Sequence, residues 1–130
     1  MLKVLLVDDE EDFLKVIKKR MDSWDCVDSV VPARNGQEAL EIIKNGNIDL
    51  VVLDYMMPVM DGISTLKEIR RINPLLRVIM FTAYPAQGNM EEAIGLKVDA
   101  FIPKFSDMSD VQSSLKAAVC GLTKQRKEES

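Results

Sequence analysis

The chain contains no histidine. That absence excludes a Ser-His-Asp triad, histidine-ligated zinc or haem, and any phosphohistidine formed on the chain itself. Only two cysteines, Cys26 and Cys120, occur, too few for a disulfide framework. Neither belongs to a CxxC pair and both lie in apolar-looking segments, so plain buried or half-buried thiols in a reducing, cytoplasmic setting are expected. No apolar run approaches the roughly 18 residues needed to span a bilayer. The apolar start, Met1 to Val7, meets Asp8, Asp9, Glu10 and Glu11 at once, which is not a signal-peptide pattern. Net charge is -4, so the surface as a whole lacks the clustered Lys and Arg that nucleic-acid phosphates require.

What is present describes one domain. The 130 residues are 47% hydrophobic and 29% charged, the balance of a globular chain large enough for a real core. Val4–Val7, Leu50–Leu53 and Val78–Phe81 are short continuous apolar runs, as expected of strands buried on both faces. Cys26–Val31 and Val98–Ile102 are weaker strand candidates. Between these runs lie helical stripes: Phe13, Ile17 and Met21; Ala39, Leu40, Ile42 and Ile43; Ile63, Leu66, Ile69 and Ile72. In the third helix Lys67, Glu68, Arg70 and Arg71 fall outside the stripe. A short fourth helix carries Met90, Ala93 and Ile94, and a fifth carries Val111, Leu115, Ala118, Val119 and Leu122. Asn35-Gly36 reads as a turn before the second helix, Asn45-Gly46 as its C-cap, and Asp61-Gly62 as the entry to the third. Asp107 with Asp110 resembles a reciprocal N-cap of the last. Strands alternating with helices predict a doubly wound parallel α/β sheet covered on both faces. The domain should occupy residues 1–122, with 123–130 a C-terminal tail or the start of a linker.

In such a sheet, ligands bind beyond the carboxyl ends of the strands, where the strand order reverses. The apolar runs end in Asp8-Asp9, in Pro32-Ala33, in Asp54, in Thr82, and in Lys104 after Pro103. Carboxylates brought together repel one another, and a hard divalent cation with oxygen ligands relieves this; Mg²⁺ (or Mn²⁺) suits a site of few carboxylates. A carboxylate can also act as a nucleophile and form an acyl phosphate. The developing charge then has to be spread over the cation, a lysine and hydrogen-bond donors.

These residues carry a family resemblance. Val-Asp-Asp-Glu at 7–10, Leu-Asp-Tyr-Met-Met-Pro-Val-Met-Asp-Gly at 53–62, Phe-Thr-Ala-Tyr at 81–84 and Pro-Lys at 103–104 resemble, in that order, a response-regulator receiver domain. The resemblance covers Met1 to about Leu122. It implies a flavodoxin-like five-stranded sheet in the order 2-1-3-4-5 with five helices, which sets the first and third strands side by side. It implies that Asp54 accepts a phosphoryl group from a histidine kinase or histidine phosphotransfer protein. Asp8, Asp9 and Asp54 would hold the metal together with the backbone carbonyl of Met56. Lys104 would pair with the phosphoryl oxygen, Thr82 would move to bond it, and the backbone N–H of Ala83 would face it. Phe101 sits at the switch aromatic position. The responding surface would be the fourth helix, fifth strand and fifth helix, read by an effector protein or an attached output domain. No membrane role and no turnover enzymology are implied.

Two positions depart from the family pattern. Phe105 follows the lysine where proline is common, and Phe101 stands where tyrosine is common, so a switch there works through shape rather than a hydroxyl. Met56 and Tyr84 are bulky and neither is a carboxylate or amide able to orient water, which predicts a long-lived acyl phosphate. Leu14 and Val16 flank the first helix's stripe, either as a docking patch or as scattered exposed apolar residues. The alternatives are a phosphate-independent pseudo-receiver that kept only the fold, and a haloacid-dehalogenase-like hydrolase. The latter wants a second aspartate at position 56, where this chain has Met.

Overall fold

The computed structural model describes residues 1–54, 60–82, 87–103 and 108–129. Its elements alternate: β1 (Leu2–Val7), α1 (Glu11–Asp22), β2 (Val27–Ala33), α2 (Gly36–Lys44), β3 (Leu50–Asp54), α3 (Gly62–Ile72), β4 (Arg77–Thr82), α4 (Gln87–Gly95), β5 (Ala100–Pro103) and α5 (Met108–Glu129). The strands form one sheet, ordered β2-β1-β3-β4-β5, and every pairing is parallel. The expected architecture and strand order are both borne out.

The strands are buried on both faces because helices cover both, and the alternation along each strand divides the core in two. Leu2, Val4 and Leu6 of β1, Leu50 and Val52 of β3, and Ile79 and Phe81 of β4 face α1 and α5. Leu5, Val7, Val51, Leu53, Val78 and Met80 face α2 and α3. Each fully buried aliphatic side chain contributes about 1.5–3 kcal/mol relative to exposure. Parallel pairing is thus stabilised from both sides.

The helix ends match the punctuation in the sequence. Asn35 caps α2, its side chain accepting from Glu38 N at 2.9 Å. Past the C-cap Asn45, Gly46 takes φ of 85°, a conformation that favours glycine. Asp61 caps α3 by accepting from Ser64 N at 2.7 Å. Gly36 has a second reason to be glycine: a Cβ there would collide with Thr65 Oγ1 and crowd Met60, so the starts of α2 and α3 meet only without one. Asp107 lies outside the described residues, as do the side chains of Met90 and Leu122.

The opposite end of the sheet carries a repeated device. Asp49 N donates to Lys3 O at 2.9 Å while Lys3 N donates to the Asp49 carboxylate at 2.9 Å. Asp99 N donates to Val78 O at 2.8 Å while Val78 N donates to the Asp99 carboxylate at 2.8 Å. Each aspartate fixes the register of its strand against the neighbour before regular pairing begins.

Three expectations are corrected. Cys26 and Cys120 are not free thiols: they form a disulfide, with Cα atoms 5.6 Å apart. Cys26 ends the α1–β2 turn and Cys120 lies on α5, and α1 and α5 pack on the same face of the sheet. Leu14 is a core residue, 5% exposed, because seven residues bring it about two turns from Met21 onto the same stripe. Ile72 is 37% exposed: steps of three drift round a helix, and nine residues leave it about 180° from Ile63.

Candidate functional site

β1 and β3 are neighbours where the strand order reverses, and their register pairs Val7 with Leu53. One step further along each strand stand Asp8 and Asp54, level with one another. Asp8 N continues the ladder to Ala33 O of β2 at 3.1 Å. The Asp8 carboxylate accepts from Glu10 N at 2.9 Å, turning the chain out of β1 and into α1. Asp8 is fully buried, Asp54 is 2% exposed, and Asp9 is exposed. One carboxylate oxygen from each of the three lies within 4.8 Å of the other two. Beneath them Phe13 of α1 stacks on Phe81 of β4, ring centroids 5.4 Å apart, and Phe81 is in register with Asp54.

Two buried carboxylates beside a third are costly in a low-dielectric site without compensating charge. The donors are all carboxylate oxygens, the preference of a hard divalent cation. Ligands opposite one another on Mg²⁺ stand about 4.2 Å apart, so the spacing is of the right scale. Asp8, Asp9 and Asp54 therefore fit such an ion.

The other expected site residues divide into two groups. Thr82 ends β4 level with Pro103 of β5, so the strand ends carrying Thr82 and preceding Lys104 flank the acidic cluster in order; the side chain of Thr82 lies outside the described residues. Phe101 is half-buried on β5, paired with Met80 and packed against the core on the α2–α3 side. Met56, Ala83, Tyr84, Lys104 and Phe105 lie outside the described residues.

Arg70 of α3 is the residue the sequence reading passed over. Its Nε donates to Leu96 O at 2.7 Å, one terminal nitrogen to Leu76 O at 2.7 Å and the other to Lys97 O at 3.0 Å. The guanidinium thus ties α3 to the C-terminal end of α4 and to the lead-in of β4. Burial pushes its pKa below the usual arginine value, with the Asp99 carboxylate working in the opposite direction. One of three cations among Lys67, Glu68, Arg70 and Arg71 gave no signal of this. The relevant carbonyls belong to segments distant in sequence.

An all-parallel sheet in this order, with three acids at its switch point, defines a class, and comparison with known proteins names it. Residues 4–116 match the response regulator receiver domain, and the chain belongs to that family. It is 32% identical over 118 residues to the transcriptional regulatory protein ZraR of Escherichia coli K12, an alignment covering 91% of this chain and 26% of that protein. The chain spans about a quarter to a third of the length of the curated relatives it matches. A response regulator receiver domain protein from Clostridium thermocellum superposes with a TM-score of 0.84 at 26% identity, covering 100% of both chains. TrrA from Thermotoga maritima, determined in complex with Mg(2+)-BeF, superposes with a TM-score of 0.75 at 28% identity, covering 91% of this chain and 99% of that one. Among the described residues no helix is long and apolar enough to cross a membrane.

Proposed function

We propose that this chain is a phosphorylation-activated signalling switch of the two-component type, acting in the cytoplasm, with Asp54 as phosphoacceptor. The observation that carries the reading is the buried Asp54 carboxylate at the end of β3, within 4.8 Å of Asp8 and Asp9 at the switch point. The chain has no histidine and cannot form a phosphohistidine itself; membership of the receiver family makes a phosphohistidine of a sensor kinase or phosphotransfer protein the donor. Asp54 attacks the phosphorus, an O–P bond forms, the P–N bond breaks, and the histidine leaves with its electron pair and takes up a proton. Asp8, Asp9, Asp54 and the carbonyl of Met56 would hold Mg²⁺, which when bound offsets the carboxylates and the charge of the transferring group. Crystallisation of TrrA with Mg(2+)-BeF supports this choice of ion. Lys104 would pair with a phosphoryl oxygen and the N–H of Ala83 would donate to another.

The product carries about two added negative charges, which favour whichever conformation brings Thr82 to the phosphoryl group. Phe101, packed between sheet and helix, then changes its position, and the α4-β5-α5 surface changes with it. Ile94 of α4 is 65% exposed, apolar area that suits an effector or an attached output domain. The kinase side is served by an open groove of about 310 Å³ beside the acids, lined by Glu11, Leu14, Lys15, Lys18, Pro32, Arg34 and Glu38. The receiver would occupy residues 1–122, with 123–130 leading into a tail or linker. It promotes only its own phosphorylation and dephosphorylation.

Intact mass after incubation with acetyl phosphate tests the reading. Wild type gains one phosphoryl group only with Mg²⁺, and Asp54→Asn gains none. Absence of any gain in wild type would overturn the proposal in favour of a phosphate-independent pseudo-receiver.

A further inference from the structure

The Cys26–Cys120 disulfide closes across 94 residues and joins two segments that nothing else joins covalently. Cys26 is at the end of the α1–β2 turn, where its carbonyl accepts from Leu2 N at 2.9 Å, so it is anchored to the start of β1. Cys120 is in the second half of α5. Val111, Leu115 and Val119 of its apolar stripe are buried to 3% exposure or less, and Cys120 follows Val119. Beyond this point the helix continues to Glu129. The disulfide therefore pins α5 directly after Val119.

The bond is also open to attack. Both cysteines are only partly buried, and Cys120 lines a shallow surface groove with Ser113, Lys116, Ala117 and Gly121. Lys116 stands one helical turn before Cys120, on the same side. The nucleophile in disulfide exchange is a thiolate, and an ammonium beside the target sulfur favours its approach. Gly121 presents no side chain on the far side of Cys120.

We propose that Cys26–Cys120 is a thiol-exchange site that couples the mobility of α5 to the redox state of its surroundings. A small thiol or a protein-borne dithiol is the co-reactant. Its thiolate attacks Sγ of Cys120, forming a mixed disulfide and expelling the Cys26 thiolate, which takes up a proton. A second thiol, from the same dithiol or from another molecule of the small thiol, then attacks the reductant's sulfur in the mixed disulfide and releases the Cys120 thiolate, which takes up a proton. Two electrons pass to the protein disulfide and the reductant leaves as its own disulfide. Disulfides in reducing compartments are typically transient and regulatory rather than structural, and the partly exposed position suits the first role. The inference rests on the proposed function only in taking α5 as part of the surface a partner reads.

The test uses the whole chain and does not require phosphorylation. Thiol counting after equilibration in oxidised glutathione should find no free thiol, and in excess reduced glutathione two. Hydrogen exchange of the α5 amides from about residue 116 onward should speed up by about tenfold or more on reduction, while α2 and α3 stay unchanged. The double variant Cys26→Ser/Cys120→Ser should match reduced wild type under both conditions. Two free thiols in the oxidising buffer would overturn the proposal, as would a bond that resists excess reduced glutathione, or α5 exchange that is the same in both states. Acetyl phosphate labelling run alongside separates the readings: loss of labelling with the exchange difference intact removes the receiver activity and leaves the redox site standing.

Discussion

Arg70 shows how much one side chain can organise without touching the chemistry. Its three donors reach carbonyls of Leu76, Leu96 and Lys97, and the lowered pKa reflects burial that Asp99 only partly offsets. Hydrogen bonds from a charged donor each contribute about 1.5–3 kcal/mol. Arg70→Ala should therefore lower stability by about 2–4 kcal/mol in denaturant titration. Arg70→Lys should recover little, since an ammonium cannot present a planar fork to three fixed acceptors. Faster hydrogen exchange at residues 93–98 should accompany the loss, because the end of α4 is what the guanidinium holds. Equal stability of all three proteins would show that the carbonyls are served as well by water. A second residue-scale prediction concerns Met56. Its bulk, with no group able to orient water, should make the acyl phosphate of Asp54 long-lived. Met56→Asn should shorten that lifetime several-fold in a phosphate-release assay; an unchanged decay rate would remove Met56 from the hydrolytic path.

At the scale of elements, the covalent tie between the α1–β2 turn and α5 has a consequence for stability. In the chain-entropy picture, a bond closing 94 residues restricts the unfolded chain by roughly 4–5 kcal/mol. Reduction should lower Tm by about 15–18 °C at the sensitivity expected for a domain of this size. A shift of only a degree or two would mean that the unfolded chain already keeps these segments together. This tie was hidden in the sequence, because pairing two cysteines requires knowing that α5 returns to the edge of the sheet beside the start of β2. Elements whose signals are local were legible. Val4–Val7, Leu50–Leu53 and Val78–Phe81 lie within the three central strands, and Asn35, Asn45 and Asp61 cap the helices their side chains and neighbours predicted. Errors arose where the period was misjudged: Leu14 joins the α1 stripe at a spacing of seven, and Ile72 leaves the α3 stripe at a spacing of nine. Thr65 is also buried, which no apolar pattern could indicate; its hydroxyl donates to Asp61 O at 2.8 Å, inside its own helix.

Across the whole molecule, the site is an electrostatic cost that the fold imposes. The sheet order places the ends of β1 and β3 side by side, so Asp8 and Asp54 cannot separate while the core remains packed. That much was legible, because acids at the ends of buried runs meet wherever those strands are adjacent; the adjacency itself came from the family resemblance, not from the runs. The arrangement predicts a reversal of sign. Without a divalent cation, Asp54→Asn removes one of three clustered charges and should raise Tm. With Mg²⁺, wild type gains RT ln(1 + [Mg²⁺]/Kd), about 2.7 kcal/mol at a hundredfold excess over Kd. That corresponds to roughly 8–12 °C in a domain of this size, and the variant should gain much less. The two melting curves should therefore exchange order as Mg²⁺ is added at constant ionic strength. Potassium at matched ionic strength controls for screening, which reaches exposed Asp9 far more than buried Asp8 and Asp54. If Asp54→Asn were less stable at every Mg²⁺ concentration, the Asp54 carboxylate would be acting through its hydrogen bonds as a structural group. Buried acids at the switch point would then be no evidence for a metal site. If the curves cross, the instability of the empty cluster is what the ion, and after it the phosphoryl group, relieves.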